Sequence, residues 1–200
     1  MIKILIAEDQ SMVLGALSAL LDMEDDFEVV EKAKNGKDAL AKSQQQPIDI
    51  ILTDIEMPCM TGIELAQELQ KKNHPAKVMI LTTFARGGYL RRAMAAGVKG
   101  YLLKDAPSDS LADAVRKIHA GKVIVAPELV TEAWAAEDPL GDNERKILRF
   151  SLEGHSTKEI AELICLSAGT VRNYLSEVTS KLGAKNRIEA ARIAKQKGWL

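Results

Sequence analysis

Five times within residues 1–121, a short run of β-prone apolar residues is followed by a stretch with helical spacing. The runs are Ile2-Lys3-Ile4-Leu5-Ile6-Ala7, Phe27-Glu28-Val29-Val30-Glu31, Ile50-Ile51-Leu52, Lys77 to Thr82 and Gly100 to Leu103. Between them, Ser11 to Met23 carries apolar side chains at Met12, Leu14, Leu17, Leu20 and Leu21, which is helical spacing, with Ser11 as the expected cap. Further helices are expected over Lys37–Gln46, Gly62–Lys72, Gly88–Ala96 and Ser108–Ala120. Strict β/α alternation with short connections allows few architectures. It predicts a doubly wound α/β unit, a five-stranded parallel sheet with helices on both faces.

The pattern changes after Gly121. Lys122 to Pro139 lacks a clear period, and Glu137-Asp138-Pro139 reads as a boundary. Beyond it lie only helical patterns, Asn143–Leu152, Ser156–Ile164, Ala168–Leu182 and Arg187–Gln196, so an all-α four-helix unit is expected. The chain thus divides into residues 1–121, a linker 122–138 and residues 139–200. Charge divides with it. Residues 1–139 hold 16 Lys/Arg against 21 Asp/Glu, whereas residues 140–200 hold 11 against 7. An acidic front and a basic back point to different partners, with nucleic acid a candidate for the second. There is no apolar run long enough for a membrane span and no signal-peptide pattern. Cys59 and Cys165 sit in no metal-like spacing, which fits free thiols in a reducing cytoplasm.

Open parallel sheets collect their chemistry at the carboxyl edge of the strands. Here Glu8-Asp9 follows the first strand, Asp54 the third, Thr82 ends the fourth, and Lys104 follows the fifth. Any one of these is unremarkable, since strand-end acids usually cap helices or face solvent. Together they converge on one place. Clustered carboxylates call for a hard divalent cation, most simply Mg²⁺. A lysine and a hydroxyl can take phosphoryl oxygens, and Asp54 becomes a nucleophile able to form an acyl phosphate.

Glu8-Asp9, Asp54 with Met57-Pro58 and Gly62, Thr82-Thr83, and Gly100-Tyr101-Leu102-Leu103-Lys104 resemble the receiver domain of bacterial two-component response regulators. The resemblance covers residues 1–121 and implies a flavodoxin-like strand order. It implies that Asp54 accepts phosphate from a sensor histidine kinase, that Asp9 and Asp54 bind Mg²⁺, that Glu8 acts through water, and that Glu56 contributes its main-chain carbonyl. Thr82 and Tyr101 become a switch pair, Met57-Pro58 and Gly62 a turn admitting metal and phosphate, and Glu56 and Phe84 determinants of phosphate lifetime. Glu8 in place of the commoner aspartate and Asp105 after Lys104 are departures.

In the last unit, Val171, Leu175, Val178 and Leu182 share one buried face of a helix. Arg172, Asn173 and Ser176 point elsewhere, and Arg and Asn match guanine and adenine edges in the major groove. Lys158, Thr170, Tyr174, Lys181 and Arg187 suit phosphate contacts. An amphipathic helix with a solvated face has the same spacing. However, Lys158-Glu159-Ile160-Ala161, Thr170-Val171-Arg172, Lys181-Leu182-Gly183 and Asn186-Arg187-Ile188-Glu189-Ala190 resemble the LuxR-type helix-turn-helix of the NarL/FixJ family. Gly141 stands where that family usually has a threonine cap, a change worth up to ~1 kcal/mol to the first helix.

The resemblances imply a cytoplasmic regulator that is no enzyme. Phosphorylation would drive homodimerisation and binding to promoter DNA, with RNA polymerase as a further partner. Glu8-Asp9-Gln10, Ile55-Glu56-Met57-Pro58 and Lys197-Gly198-Trp199 resemble a subgroup controlling fatty-acid desaturation, which would make membrane-lipid genes the targets. Two rivals differ in kind. A haloacid-dehalogenase-type phosphatase would need an aspartate where Glu56 stands. A phosphorylation-independent DNA-binding regulator would have no use for the Asp54 constellation.

Overall fold

The computed structural model describes residues 1–83, 87–105, 107–127, 130 and 138–200. They form two compact units, one of alternating strands and helices and one of helices alone. In the first, the elements are β1 (Ile2–Ala7), α1 (Ser11–Asp22), β2 (Phe27–Ala33), α2 (Gly36–Ser43), β3 (Ile50–Thr53) and α3 (Gly62–Lys71), followed by β4 (Lys77–Thr82), α4 (Gly87–Ala95), β5 (Gly100–Leu103), α5 (Ser108–His119) and β6 (Ile124–Val125). The strand order is β2-β1-β3-β4-β5-β6, with every pair parallel.

The central strands read as unbroken apolar runs because both of their faces are covered. Ile4, Ile6, Ile50, Leu52, Met79 and Leu81 join Leu14 and Leu21 of α1 and Leu111, Val115 and Ile118 of α5 in one cluster. Leu5, Ile51 and Ile80, facing the other way, are just as buried.

Two expectations need correction. The sheet has six strands, not five: Ile124 and Val125, at the start of the expected linker, pair with Gly100 and Tyr101. Ile124 N–H donates to Lys99 O at 2.9 Å, and Ala126 N–H to Tyr101 O at 3.0 Å. A two-residue strand is too short to show any periodicity. The cap of α1 is Gln10, and Ser11 lies inside the helix. The Gln10 N–H donates to Glu8 Oε1 at 3.2 Å, a turn contact two residues back just before the helix. Phe84 and Glu137 lie outside the described residues.

The second unit contains α6 (Asp142–Leu152), α7 (Thr157–Leu163), α8 (Ala168–Lys181) and α9 (Arg187–Gln196). Leu148, Val178, Ala190, Ala191, Ala194, Trp199 and Leu200 form one small core; Ile147, Ile160, Ala161 and Val171 form another. Ser156, Ser167 and Asn186 cap α7, α8 and α9, accepting N–H bonds from the first turns. These caps matter because helices this short are marginal on propensity alone. No described helix is long and apolar enough to cross a membrane.

Candidate functional site

Parallel neighbours in register end together, so the residues just beyond β1, β3, β4 and β5 arrive at one edge. Oxygens of Glu8, Asp9 and Asp54 lie within 4.8 Å of one another. Asp54 is pinned by its N–H, which donates to Ala7 O at 2.9 Å. Lys104 Nζ donates to Glu8 Oε2 at 2.6 Å and stands 3.4 Å from Asp54 Oδ2. The Lys104 N–H also donates to Thr82 O at 2.8 Å, tying the ends of β4 and β5. Glu8 and Thr82 are buried, Asp54 is 9% exposed, and Asp9 is exposed. Tyr101 is wholly buried and pairs with Ile80, so its side chain shares a sheet face with Thr82, two residues on. Glu56 is half-buried in the turn after β3.

Three carboxylates against one ammonium leave an excess of negative charge on an all-oxygen donor set. That is the chemistry of a hard divalent cation site, and the residues fit one. Burial pushes the Asp54 carboxyl up from 3.8 to about 6, against the pull of the Lys104 ammonium and the Ile55 main chain. The folded value lies above the unfolded one, so folding takes up a proton between them. Without metal, stability should fall as pH rises from about 4 through about 6, with the full cost present above that. Asp54→Asn should remove this slope and stabilise the chain at neutral pH by at most about 3 kcal/mol. Urea titrations in chelator at several pH values check it, and parallel profiles for the two proteins would disprove it.

The turn after Asp54 departs from expectation in its use of Gly62. Met60 N–H donates to Pro58 O at 2.7 Å, Gly62 N–H donates to Ile55 O at 3.0 Å, and Cys59 takes φ 65°. A Cβ on Gly62 would sit 2.0 Å from Asp54 O. The group this glycine admits is the carbonyl of Asp54 itself, with no room left for metal or phosphate at that point.

On α8, Val171 and Val178 are buried, Leu175 and Leu182 half-buried, and Arg172, Asn173 and Ser176 exposed. Lys158 is exposed in the first turn of α7, and half-buried Arg187 opens α9. Thr170 Oγ1 lies 2.8 Å from Ser167 Oγ, within the cap of α8. Tyr174 Oη stands 3.5 Å from Asn143 Nδ2. Lys181 is already paired, 2.8 Å from Glu144 Oε1 and 3.1 Å from Glu177 Oε1. Sequence reasoning passed over Glu144, although Gly141-x-x-Glu144 has capping-box spacing. Gly141 has no side chain to complete the box, but its N–H donates to Glu144 Oε2 at 2.7 Å, which offsets part of the missing threonine.

Residues 4–116 match the family model described as response regulator receiver domain, and residues 138–194 that of bacterial regulatory proteins, luxR family. The chain is 52% identical to the transcriptional regulatory protein DesR of Bacillus subtilis over 199 residues, covering 100% of this chain and 99% of the relative. It is also 52% identical to the uncharacterized transcriptional regulatory protein YvfU of the same organism, over the whole of both chains. Among solved structures it resembles the response regulator ChrA of a heme-sensing two-component system, at TM-score 0.58 and 33% identity, covering 100% of this chain and 98% of that one.

Proposed function

The chain belongs to the two-component response regulators with a LuxR-type DNA-binding domain, and from that premise we propose that phosphate on Asp54 switches dimerisation and promoter binding. The observation that carries the reading is Asp54 beside Lys104, Glu8, Asp9 and Thr82 at one sheet edge. An Asp54 oxygen attacks the phosphorus of a kinase phosphohistidine; the P–N bond breaks, an acyl phosphate forms, and the imidazole nitrogen leaves with a proton. Mg²⁺, when bound, supplies positive charge against the carboxylates and the phosphoryl group. Asp9, Asp54 and the Glu56 carbonyl would hold it directly, and Glu8 through water. Lys104 and Thr82 take phosphoryl oxygens, and Tyr101 follows Thr82 within their shared sheet face.

Dimerisation would use α1 and α5. Support comes from α1, which exposes Met12 and Leu20, and from the exposed Met23 that caps its end. In the cytoplasm, two helical units on one operator would place α8 in successive major grooves, with RNA polymerase recruited beside them. Arg172, Asn173 and Ser176 would read bases; Lys158, Thr170, Tyr174 and Arg187 would hold phosphates. Equal identity to DesR and YvfU supports no particular set of target genes, so membrane-lipid genes rest on the sequence resemblance alone.

The test is treatment of the full chain with acetyl phosphate and Mg²⁺. An increment of one phosphoryl group on the peptide holding Asp54, with a shift to dimer, supports the reading; no increment sinks it. On DNA the two residue classes should separate. Arg172→Ala should cost about 1–3 kcal/mol on the selected sequence and relax preference at one base pair. Lys158→Ala should weaken all sequences alike and reduce the salt slope by about 0.9. Salt-titrated gel shifts distinguish them.

A further inference from the structure

Glu144 stands near the start of α6, yet its side chain is only 5% exposed. A carboxylate buried this far must have both oxygens satisfied, and here each has a different partner. Oε2 accepts the Gly141 N–H, closing the first turn of α6, while Oε1 accepts from Lys181 Nζ. Lys181 is the last residue of α8. The carboxylate therefore fastens the far end of the recognition helix to the near end of another helix.

A second contact repeats the arrangement. Asn143, the neighbour of Glu144, meets Tyr174, which lies seven residues before Lys181 on the same side of α8. Seven helical residues span roughly 10 Å, so two adjacent α6 residues touch α8 at points about two turns apart. A helix held at two such points cannot tilt freely. Arg172, Asn173 and Ser176 depend on that tilt to meet base edges in register.

Charge argues the same way. The Lys181 ammonium is held above its ordinary pKa, first by Glu144 and then by Glu177. One lysine with two glutamates sums to −1, so the Lys181 group itself offers a DNA phosphate no net attraction. We infer that Glu144 is a positioning residue for DNA recognition, acting through Lys181, which sets the tilt of α8 and makes no phosphate contact. The inference rests on the DNA-binding reading proposed above.

The experiment uses the full chain treated with acetyl phosphate, the duplex that the unaltered chain enriches from a random pool, and a scrambled duplex of equal length. In Lys181→Met the preference for the selected duplex should fall about tenfold, while the slope of log affinity against log salt stays unchanged. A slope shallower by about 0.9 with preference intact would make Lys181 a phosphate contact and overturn the inference. A purely structural role would weaken both duplexes in proportion to the folded fraction, leaving their ratio untouched, and that too would overturn it. Lys181→Arg should restore the preference. Glu144→Gln keeps an oxygen for the Gly141 N–H, and should lose preference as Lys181→Met does; the double variant should lose no more than either single one. Fully additive losses would mean the two residues act apart. Should the unaltered chain enrich no duplex at all, the DNA-binding reading falls first and this inference with it.

Discussion

Asp54→Ala should leave a folded protein that no longer dimerises or binds its operator in response to a phosphodonor. A phosphorylated Asp54 carries close to −2 charge at a site where Lys104, Thr82 and a bound cation can compensate it. Differential stabilisation of ~3–5 kcal/mol is enough to take a two-state receiver from mostly off to mostly on, a change of hundreds-fold or more in the ratio of states. All of it should be lost, because no other carboxylate of the cluster is equally placed: Glu8 is taken by Lys104, and Asp9 is exposed. Folding should survive, since the substitution removes a carboxylate that burial disfavours. Sedimentation and gel shifts with and without acetyl phosphate read the effect. A variant that still responded like the unaltered chain would place the acceptor elsewhere.

The fold and the gathering of Glu8, Asp9, Asp54, Thr82 and Lys104 at one sheet edge were legible for one physical reason. Strands covered on both faces carry long apolar runs, so Ile4–Ala7, Ile50–Leu52 and Val78–Leu81 announce themselves, and the residues after them name the edge. What stayed hidden depends on partners distant along the chain. Lys104 meets Glu8 from 96 residues away, and Lys181 meets Glu144 from 37. From sequence, Lys181 is one more basic residue on a DNA-facing helix; only the fold shows that its charge is already answered. β6 escaped for a different reason. Two residues carry no period, and Ile124–Val125 becomes a strand because β5 offers an open edge.

Gly62→Ala should be the most damaging single-methyl change near the site, through space and not through backbone freedom. Gly62 is not among the positive-φ glycines, so alanine could adopt its conformation. Its Cβ, however, would lie 2.0 Å from Asp54 O and 2.9 Å from Thr53 Oγ1. That carbonyl has little room to retreat. It accepts from Thr53 Oγ1 at 2.9 Å, while the Asp54 N–H is committed to Ala7 O and the Gly62 N–H to Ile55 O. Relief requires moving the Asp54 peptide or the start of α3, at a cost of about 1–3 kcal/mol or more. The functional loss should exceed the stability loss, because a displacement of about 1 Å at a reacting group can cost roughly a hundredfold in rate. Gly15→Ala is the counter-experiment. There a Cβ meets nothing within 4 Å, and the gain in helix propensity should stabilise the chain by up to ~1 kcal/mol. Urea unfolding and the rate of phosphorylation from acetyl phosphate separate the two variants. Gly62→Ala should unfold at lower urea and be phosphorylated much more slowly than the unaltered chain. Gly15→Ala should unfold at higher urea with an unchanged rate. If Gly62→Ala kept both its stability and its rate, the close packing of α3 on the Asp54 carbonyl would not be what holds the acceptor in place.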